Sequence, residues 1–200
     1  MPSLRWSGLL HSVPVCGRCY NEMVPKEQLF KLDGFQVRCL YEYNEKIRSL
    51  LYQFKGCNDI ELASVFLANQ ASFLKIAYKG YTLVPAPSYQ EKDDARGFNH
   101  VVEMFKILDM PFLFPIVKRD DVKQADGNYE ERQKIGQHLH FLLDVSVTGK
   151  KILFVDDLIT TGATAKACCH LLKEHGAKKI QILAMGHTRY DEKDLNKTPP

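Results

Sequence analysis

No segment of this 200-residue chain is apolar for long enough to read as a transmembrane helix, which asks for about 20 such residues. The opening stretch Met-Pro-Ser-Leu-Arg-Trp-Ser-Gly-Leu-Leu lacks the sustained apolar core of a secretion signal. No internal repeat is visible. Lysine and arginine form no dense run, so direct nucleic-acid binding is not expected, and a net charge of +3 singles out no partner. No histidine stands out as a catalytic base; His100 and His170 read as helix-surface residues. Cysteine is scarce as well, with six in all and a single Cys-x-x-Cys pair, Cys16 and Cys19. Together these absences describe a cytoplasmic globule whose cysteines are thiols or metal ligands rather than disulfides. Length fits one domain with a small appendage, and a hydrophobic share of 45% fits an ordinary packed core.

The most informative residues are 152–164, Ile-Leu-Phe-Val-Asp-Asp-Leu-Ile-Thr-Thr-Gly-Ala-Thr. Ile152 to Val155 make a short buried strand by length and β-branched content. Asp156 and Asp157 then fall at its carboxyl end, where open α/β sheets hold ligands. Thr160, Thr161, Gly162, Ala163 and Thr164 form a tight turn that opens a helix. The free N–H groups there, and the helix's positive end, favour a phosphate. Carboxylates beside such a cradle suit a sugar phosphate, accepting bonds from sugar hydroxyls or holding Mg²⁺ through water. All thirteen positions closely resemble the signature by which type I phosphoribosyltransferases bind 5-phosphoribosyl 1-pyrophosphate (PRPP).

Alternation at Phe35, Val37, Cys39, Tyr41 and Tyr43 predicts a half-buried strand. Residues 1–34 read as irregular. Ile47, Leu50, Leu51 and Phe54 recur at helical spacing, so a helix begins near Glu45 and ends at Lys55-Gly56. A second helix is expected over about Ile60 to Tyr78, with Leu62, Val65, Phe66 and Phe73 inward. A strand over Tyr81–Val84 and a helix after Gly97, with Val101, Val102, Met104, Phe105 and Leu108 as its apolar residues, follow. Phe112–Val117 is strand-like, although Pro115 argues for an edge. Residues 118–138 read as a long loop or hairpin and His140–Val147 as a strand. The helix after Thr164 buries Cys168, Leu171 and Leu172 and stops at Gly176; Ile180, Ile182 and Ala184 begin a last strand. This alternation predicts a largely parallel sheet flanked by helices. The chain divides into an N-terminal segment 1–34, a domain 35–190 and a polar tail 191–200.

A second loop, Pro85-Ala86-Pro87-Ser88, runs out of a strand and is followed by Arg96-Gly97-Phe98-Asn99. With Lys55 after an apolar helix, and Arg119 followed by Gln124 and Arg132, these residues resemble the ComF/GntX family of phosphoribosyltransferase-like proteins over about residues 35–189. The resemblance implies a type I phosphoribosyltransferase-like α/β fold and transfer of phosphoribose from PRPP, with Mg²⁺, to a nitrogenous base. It implies that Asp156 and Asp157 meet the ribose, directly or through Mg²⁺, and that Thr160 to Thr164 hold the 5′-phosphate. Pro85 to Ser88 would form the pyrophosphate-side loop through exposed N–H groups, with Arg96 and Lys55 countering its charge. Arg119, Lys118, Lys123, Gln124 and Arg132 would lie in a mobile loop that closes over the reacting centre, Arg119 beside Asp156 and Asp157 as catalytic. Each has a plainer reading: Arg96 pairing with Asp93 or Asp94, Lys55 simply solvated, residues 119–132 a charged hairpin, Tyr41 and Tyr43 packing.

The family commonly carries an N-terminal zinc ribbon of two Cys-x-x-Cys pairs. Here only Cys16 and Cys19 match, so either the ribbon has decayed or the true start lies upstream. Arg132 also lacks the asparagine that often follows it three residues later, Ile135 standing there. ComF relatives are associated with natural transformation, which keeps open a non-catalytic alternative. In that alternative the pocket senses PRPP or nucleotide and the protein assists DNA uptake beside a helicase partner. Acceptor base and oligomeric state are not legible, a dimer being compatible.

Overall fold

The computed structural model describes residues 17–118 and 138–188. Strands β1 (Pro25–Leu32), β2 (Phe35–Glu42), β3 (Tyr81–Pro85), β6 (Lys151–Ile159) and β7 (Lys179–His187) form one sheet. Their order is β1-β2-β7-β6-β3. From β2 onward the sheet is parallel, and β1 alone runs antiparallel at its edge. A separate antiparallel ribbon joins β4 (Ile116–Lys118) to β5 (Leu139–Phe141). The helices are α1 (Gly17–Glu22), α2 (Glu45–Gly56), α3 (Ala71–Ala77), α4 (Gln90–Arg96), α5 (His100–Phe105) and α6 (Ala163–Glu174). The expected, largely parallel α/β sheet is therefore present.

Each face of the sheet buries its own core. On one face Ile47, Leu51 and Phe54 of α2 and Met104 and Phe105 of α5 pack on Leu83, Leu153, Val155 and Leu183. On the other, Ala165, Cys168, Cys169 and Leu172 of α6, spaced as one helical stripe, cover Val37, Phe154, Ile182 and Ala184. Burial of each phenylalanine contributes about 1.5–3 kcal/mol. Asn44 caps α2 by accepting the Ile47 N–H at 2.9 Å. The chain leaves β3 toward the α5 face and leaves β6 toward the α6 face. Adjacent parallel strands whose connections depart on opposite sides open a crevice at their carboxyl ends. Pro85–Ser88 and Asp156–Thr164 both lie at that crevice.

Several sequence expectations need correction. Pro25–Leu32, read as irregular, is a strand. It sits at the sheet edge, so most of its side chains are exposed and the apolar alternation is faint. Its turn into β2 is Asp33-Gly34, both left-handed (φ 50° and 84°), the backbone a two-residue hairpin loop requires. The helix expected over residues 60–78 is instead a 3-10 segment, Ile60–Phe66, a turn, and then α3. The break turns Phe73 outward to 51% exposure, where the Arg38 guanidinium covers its ring at 5.3 Å. The strand read over 140–147 is only the three residues of β5, because Leu142 already turns back to bond Pro115 O at 2.7 Å. Strand β6 is longer than expected and carries both acids within it. Among the described residues no helix is long and apolar enough to cross a membrane.

Candidate functional site

Asp156 and Asp157 are consecutive strand residues, so they face opposite sides of the sheet. Asp157 continues the side of Leu153 and Val155, and Asp156 continues that of Ile152 and Phe154. The two acids are thus not equivalent, although their carboxyls still meet in a side-chain hydrogen bond. Asp157 is 7% exposed, and its Oδ2 accepts a short hydrogen bond from Lys55 Nζ at the end of α2. Asp156 is half-buried, and its Oδ1 accepts the Asp157 N–H at 2.8 Å. Burial and the neighbouring Asp157 carboxylate push Asp156 well above the usual carboxylate range. Burial pushes Asp157 the same way, but the Lys55 ammonium, with His100 behind it, outweighs that and holds Asp157 low. Asp157 therefore has an internal counter-ion in Lys55, whereas Asp156 makes no ion pair among the described residues.

Gly162 ends the strand-to-helix turn with φ +71°, a conformation that suits glycine. A Cβ there would also lie 2.6 Å from Leu32 Cδ2, because the end of β1 presses on the turn. The N–H groups of the first turn of α6 have no intrahelical partner. That of Ala163 is bonded by Thr161 Oγ1 at 3.3 Å. Thr160 and Thr161 are exposed and Thr164 is half-buried. An anion can reach this helix start, and the aligned peptide dipoles of a twelve-residue helix favour it.

The second loop is built differently from expectation. Pro85 and Pro87 have no N–H, and that of Ala86 already donates to Val155 O at 2.8 Å. Only Ser88 is left to offer an amide, so the loop is no row of open donors. Ser88 Oγ makes a short bond to Asp93 Oδ2. Asn99 ties the same point down, donating to Ser88 Oγ at 3.0 Å and Asp93 Oδ2 at 2.8 Å while capping α5 through Val102 N at 3.0 Å.

Arg96 does not reach into the crevice as an open cation. Its side chain is 13% exposed and bonds Asp93 Oδ1, the Lys55 carbonyl and His100 Nδ1, each at 3.2 Å. The plainer reading, a pair with Asp93, is the one realised, and Arg96 also fixes the end of α2. His100, read as a surface residue, is 12% exposed and belongs to the same network. Because Arg96 can only donate, His100 Nδ1 accepts, and the ring proton sits on Nε2, 3.8 Å from Asp157 Oδ2. Burial lowers the His100 pKa to about 4, so the ring is neutral. His170 instead pairs with Asp33 at 2.6 Å, joining the β1–β2 turn to α6.

Tyr41 packs in the core and donates to Phe66 O at 2.8 Å, as its plainer reading had it. The Lys118 ammonium lies 4.2 Å over the Tyr89 ring, beside Ser88. Arg119, Lys123, Gln124 and Arg132 lie outside the described residues. So does Cys16, and the Cys19 side chain is likewise outside, so the zinc expectation finds no geometry here. Cys39 and Cys169 are buried thiols with pKa values pushed up to about 12, which makes them inert. Sequence reasoning named Asp93 only as a plain partner of Arg96, quoted Asn99 without a role and read His100 as a surface residue; the signal that was available is an asparagine directly before a helix, the usual cap residue.

Against known proteins, the model of the phosphoribosyl transferase domain matches residues 94–198. The chain is 32% identical over 176 residues to the competence protein ComFC of Bacillus subtilis, covering 83% of this chain and 73% of that one. The competence protein ComFC of Streptococcus pneumoniae is also 32% identical, over 76% of this chain and 68% of the relative. The DNA utilization protein YhgH of Escherichia coli is 24% identical over 89% and 80%. Among solved structures, a hypoxanthine phosphoribosyltransferase from Staphylococcus aureus aligns at 13% identity over 66% of this chain and 76% of its own, with a TM-score of 0.41.

Proposed function

Since the chain belongs to the phosphoribosyl transferase domain family, and within it to the ComFC type, we propose that it binds PRPP and transfers the phosphoribosyl group to a nitrogenous base. The observation that carries this reading is the crevice between β3 and β6, where a glycine-gated helix start lies beside one uncompensated carboxylate. The turn from Thr160 to Thr164 takes the 5′-phosphate on backbone N–H groups and threonine hydroxyls. Asp156 accepts hydrogen bonds from the ribose hydroxyls. Its charge has no internal partner among the described residues, so it gains most from a ligand that brings donors or positive charge. Lys55 supplies the cation on the pyrophosphate side once it exchanges Asp157 for the ligand. The network of Arg96, Asp93, Asn99 and Ser88 positions that exchange by fixing both the α2 end and the loop after β3.

In the reaction a base nitrogen forms a bond to ribose C1 as the C1–oxygen bond to pyrophosphate breaks, and the pair of electrons leaves with pyrophosphate. Positive charge grows on the sugar ring and negative charge on the leaving group. Asp156 stabilises the first and Lys55 the second, and loss of one such group typically costs ~10²–10³ in rate. Asp156 is the residue that would hold a Mg²⁺ arriving with the substrate phosphates, and the ion would neutralise charge growing on the departing pyrophosphate.

A second reading is favoured by the Lys55–Asp157 bond, which already gives Asp157 an internal partner, and by the relatives' names. In it the crevice senses PRPP or a nucleotide without turnover, and the protein assists DNA uptake with a helicase partner. Pyrophosphate release separates the two. With PRPP, Mg²⁺ and a panel of purine and pyrimidine bases, transfer predicts base-dependent release that the Asp156→Asn/Asp157→Asn variant lacks. Binding of PRPP or a nucleotide without release under any base leaves the sensing reading, and absence of binding of both PRPP and nucleotides defeats both.

A further inference from the structure

No dense basic run exists in the sequence, yet the topology assembles one. The parallel strands β3, β6 and β7 begin side by side at the sheet end opposite the crevice. Each start carries lysine: Lys79 ahead of Tyr81, Lys150-Lys151, and Lys178-Lys179. Lys151 is the register partner of Tyr81 on one side and of Lys179 on the other. The Lys178 N–H donates to Lys150 O at 2.8 Å, which brings the second pair together. All five are exposed, as is Lys75 in the last turn of α3.

Among the described residues none of these ammoniums forms an ion pair. Among the described residues the lysines in ion pairs are Lys26, Lys46, Lys55 and Lys106, none of them at this edge. Like charges set directly opposite on neighbouring strands, as Lys151 and Lys179 are, destabilise a sheet. The whole chain carries only +3, so six lysines along one edge concentrate its positive field there. Two of them converge on a single ring: Lys151 Nζ and Lys179 Nζ are each 5.9 Å from the centre of Tyr81. An open cleft of about 380 Å³, lined by Lys75, Tyr78, Lys79, Tyr81, Asp109 and Pro111, adjoins them, so a single carboxylate sits among its lysines.

We propose that this edge binds the phosphodiester backbone of a nucleic acid, independently of base sequence. A protein partner fits less well, because protein interfaces are depleted in lysine and centre on exposed aromatic and arginine side chains. Here Tyr78 and Tyr81 are buried at 5% and 7% exposure, and the outer layer is ammonium. Repeated point charges without a planar fork suit phosphates and read no base edges.

Fluorescence anisotropy of the full chain with a labelled 20-nucleotide single strand, and with the matching duplex, from 50 to 200 mM salt, tests this. Log affinity should fall linearly with log salt by about 0.7 per phosphate neutralised on the single strand and about 0.9 on the duplex. The Lys150→Gln/Lys151→Gln/Lys178→Gln/Lys179→Gln variant, with an unchanged melting temperature, should bind at least ~10-fold more weakly at 50 mM salt, with a slope shallower by roughly 2–3. Lys75→Gln/Lys79→Gln should give a smaller change in the same direction. Equal affinity and slope in wild type and both variants overturns the proposal. Displacement of the oligonucleotide by PRPP would move its phosphates to the crevice and overturn it too. Displacement by poly-glutamate at equal charge concentration would assign the edge to an acidic protein instead.

Discussion

Replacing Asp156 with asparagine should stabilise the protein at neutral pH while removing its ligand. The carboxylate is half-buried, has no ion pair among the described residues, and sits beside a second carboxylate. Asparagine has nearly the same shape and keeps the 2.8 Å bond from the Asp157 N–H. What it removes is a desolvated charge, and relieving an unsatisfied buried group is worth about 1–3 kcal/mol. For a domain of this size each kcal/mol moves Tm by about 2–4 °C, so Tm should rise by roughly 2–12 °C at pH 7. The sign follows from linkage. Asp156 binds its proton more tightly in the folded state than in the unfolded chain, where its pKa is about 3.9. Wild-type stability therefore falls as pH rises from about 4 through the folded value, and the variant escapes that loss. Scanning calorimetry from pH 4 to 8 should show an advantage at pH 7 that closes near pH 4. An asparagine variant no more stable than wild type at pH 7, or one whose advantage is the same at every pH, refutes the reasoning.

Other perturbations test the surrounding parts. Gly162→Ala should cost roughly 2–4 kcal/mol, from its left-handed backbone and from the Leu32 contact; in urea unfolding, Leu32→Ala should recover the contact part but not the backbone part. Lys55→Met removes the counter-ion of buried Asp157. After discounting for a lysine one-third exposed, it should cost about 1–3 kcal/mol at pH 7, and Asp157→Asn in the same chain should restore most of the Tm. Since Asp157 is held low in the folded state, that cost is present above about pH 4 and fades as pH falls through the folded value. His100, with a folded pKa of about 4, is neutral while the unfolded chain protonates near 6.5. Wild type should therefore lose on the order of 3 kcal/mol between pH 6.5 and 4, and His100→Gln should flatten that slope in pH-dependent melting. An unchanged slope would show that His100 is not neutral in the fold.

How much of this was legible depended on how strongly each segment is buried. Strands β6 and β7 and helices α2 and α6 bury continuous apolar stripes, so composition and period placed them within a few residues. Helix α4 buries no residue and shows no period, and it was missed for that reason. Edge strand β1 was missed although Asp33-Gly34 is the local hairpin signal that should have exposed it. At the site, the residues of the acid pair and the glycine turn were all present in the motif, and the Lys55 partner of Asp157 makes the two acids inequivalent. That Lys55 would pair with Asp157 was beyond reach, since they are 102 positions apart in the chain. The inward turn of Arg96 and His100 was hidden for the same reason, since it follows from the bond that Arg96 makes to the Lys55 carbonyl, 41 residues away. The lysine edge escaped notice because its charges come from distant segments that only the strand order brings together.

Calorimetric titration of the intact protein with PRPP and Mg²⁺ bears most directly on the crevice. Wild type should bind one PRPP per chain in a saturable isotherm, and both Asp156→Asn/Asp157→Asn and Gly162→Ala should lose that heat while staying folded by circular dichroism. Equal binding by wild type and the folded variants would place the phosphoribosyl ligand somewhere other than the start of α6.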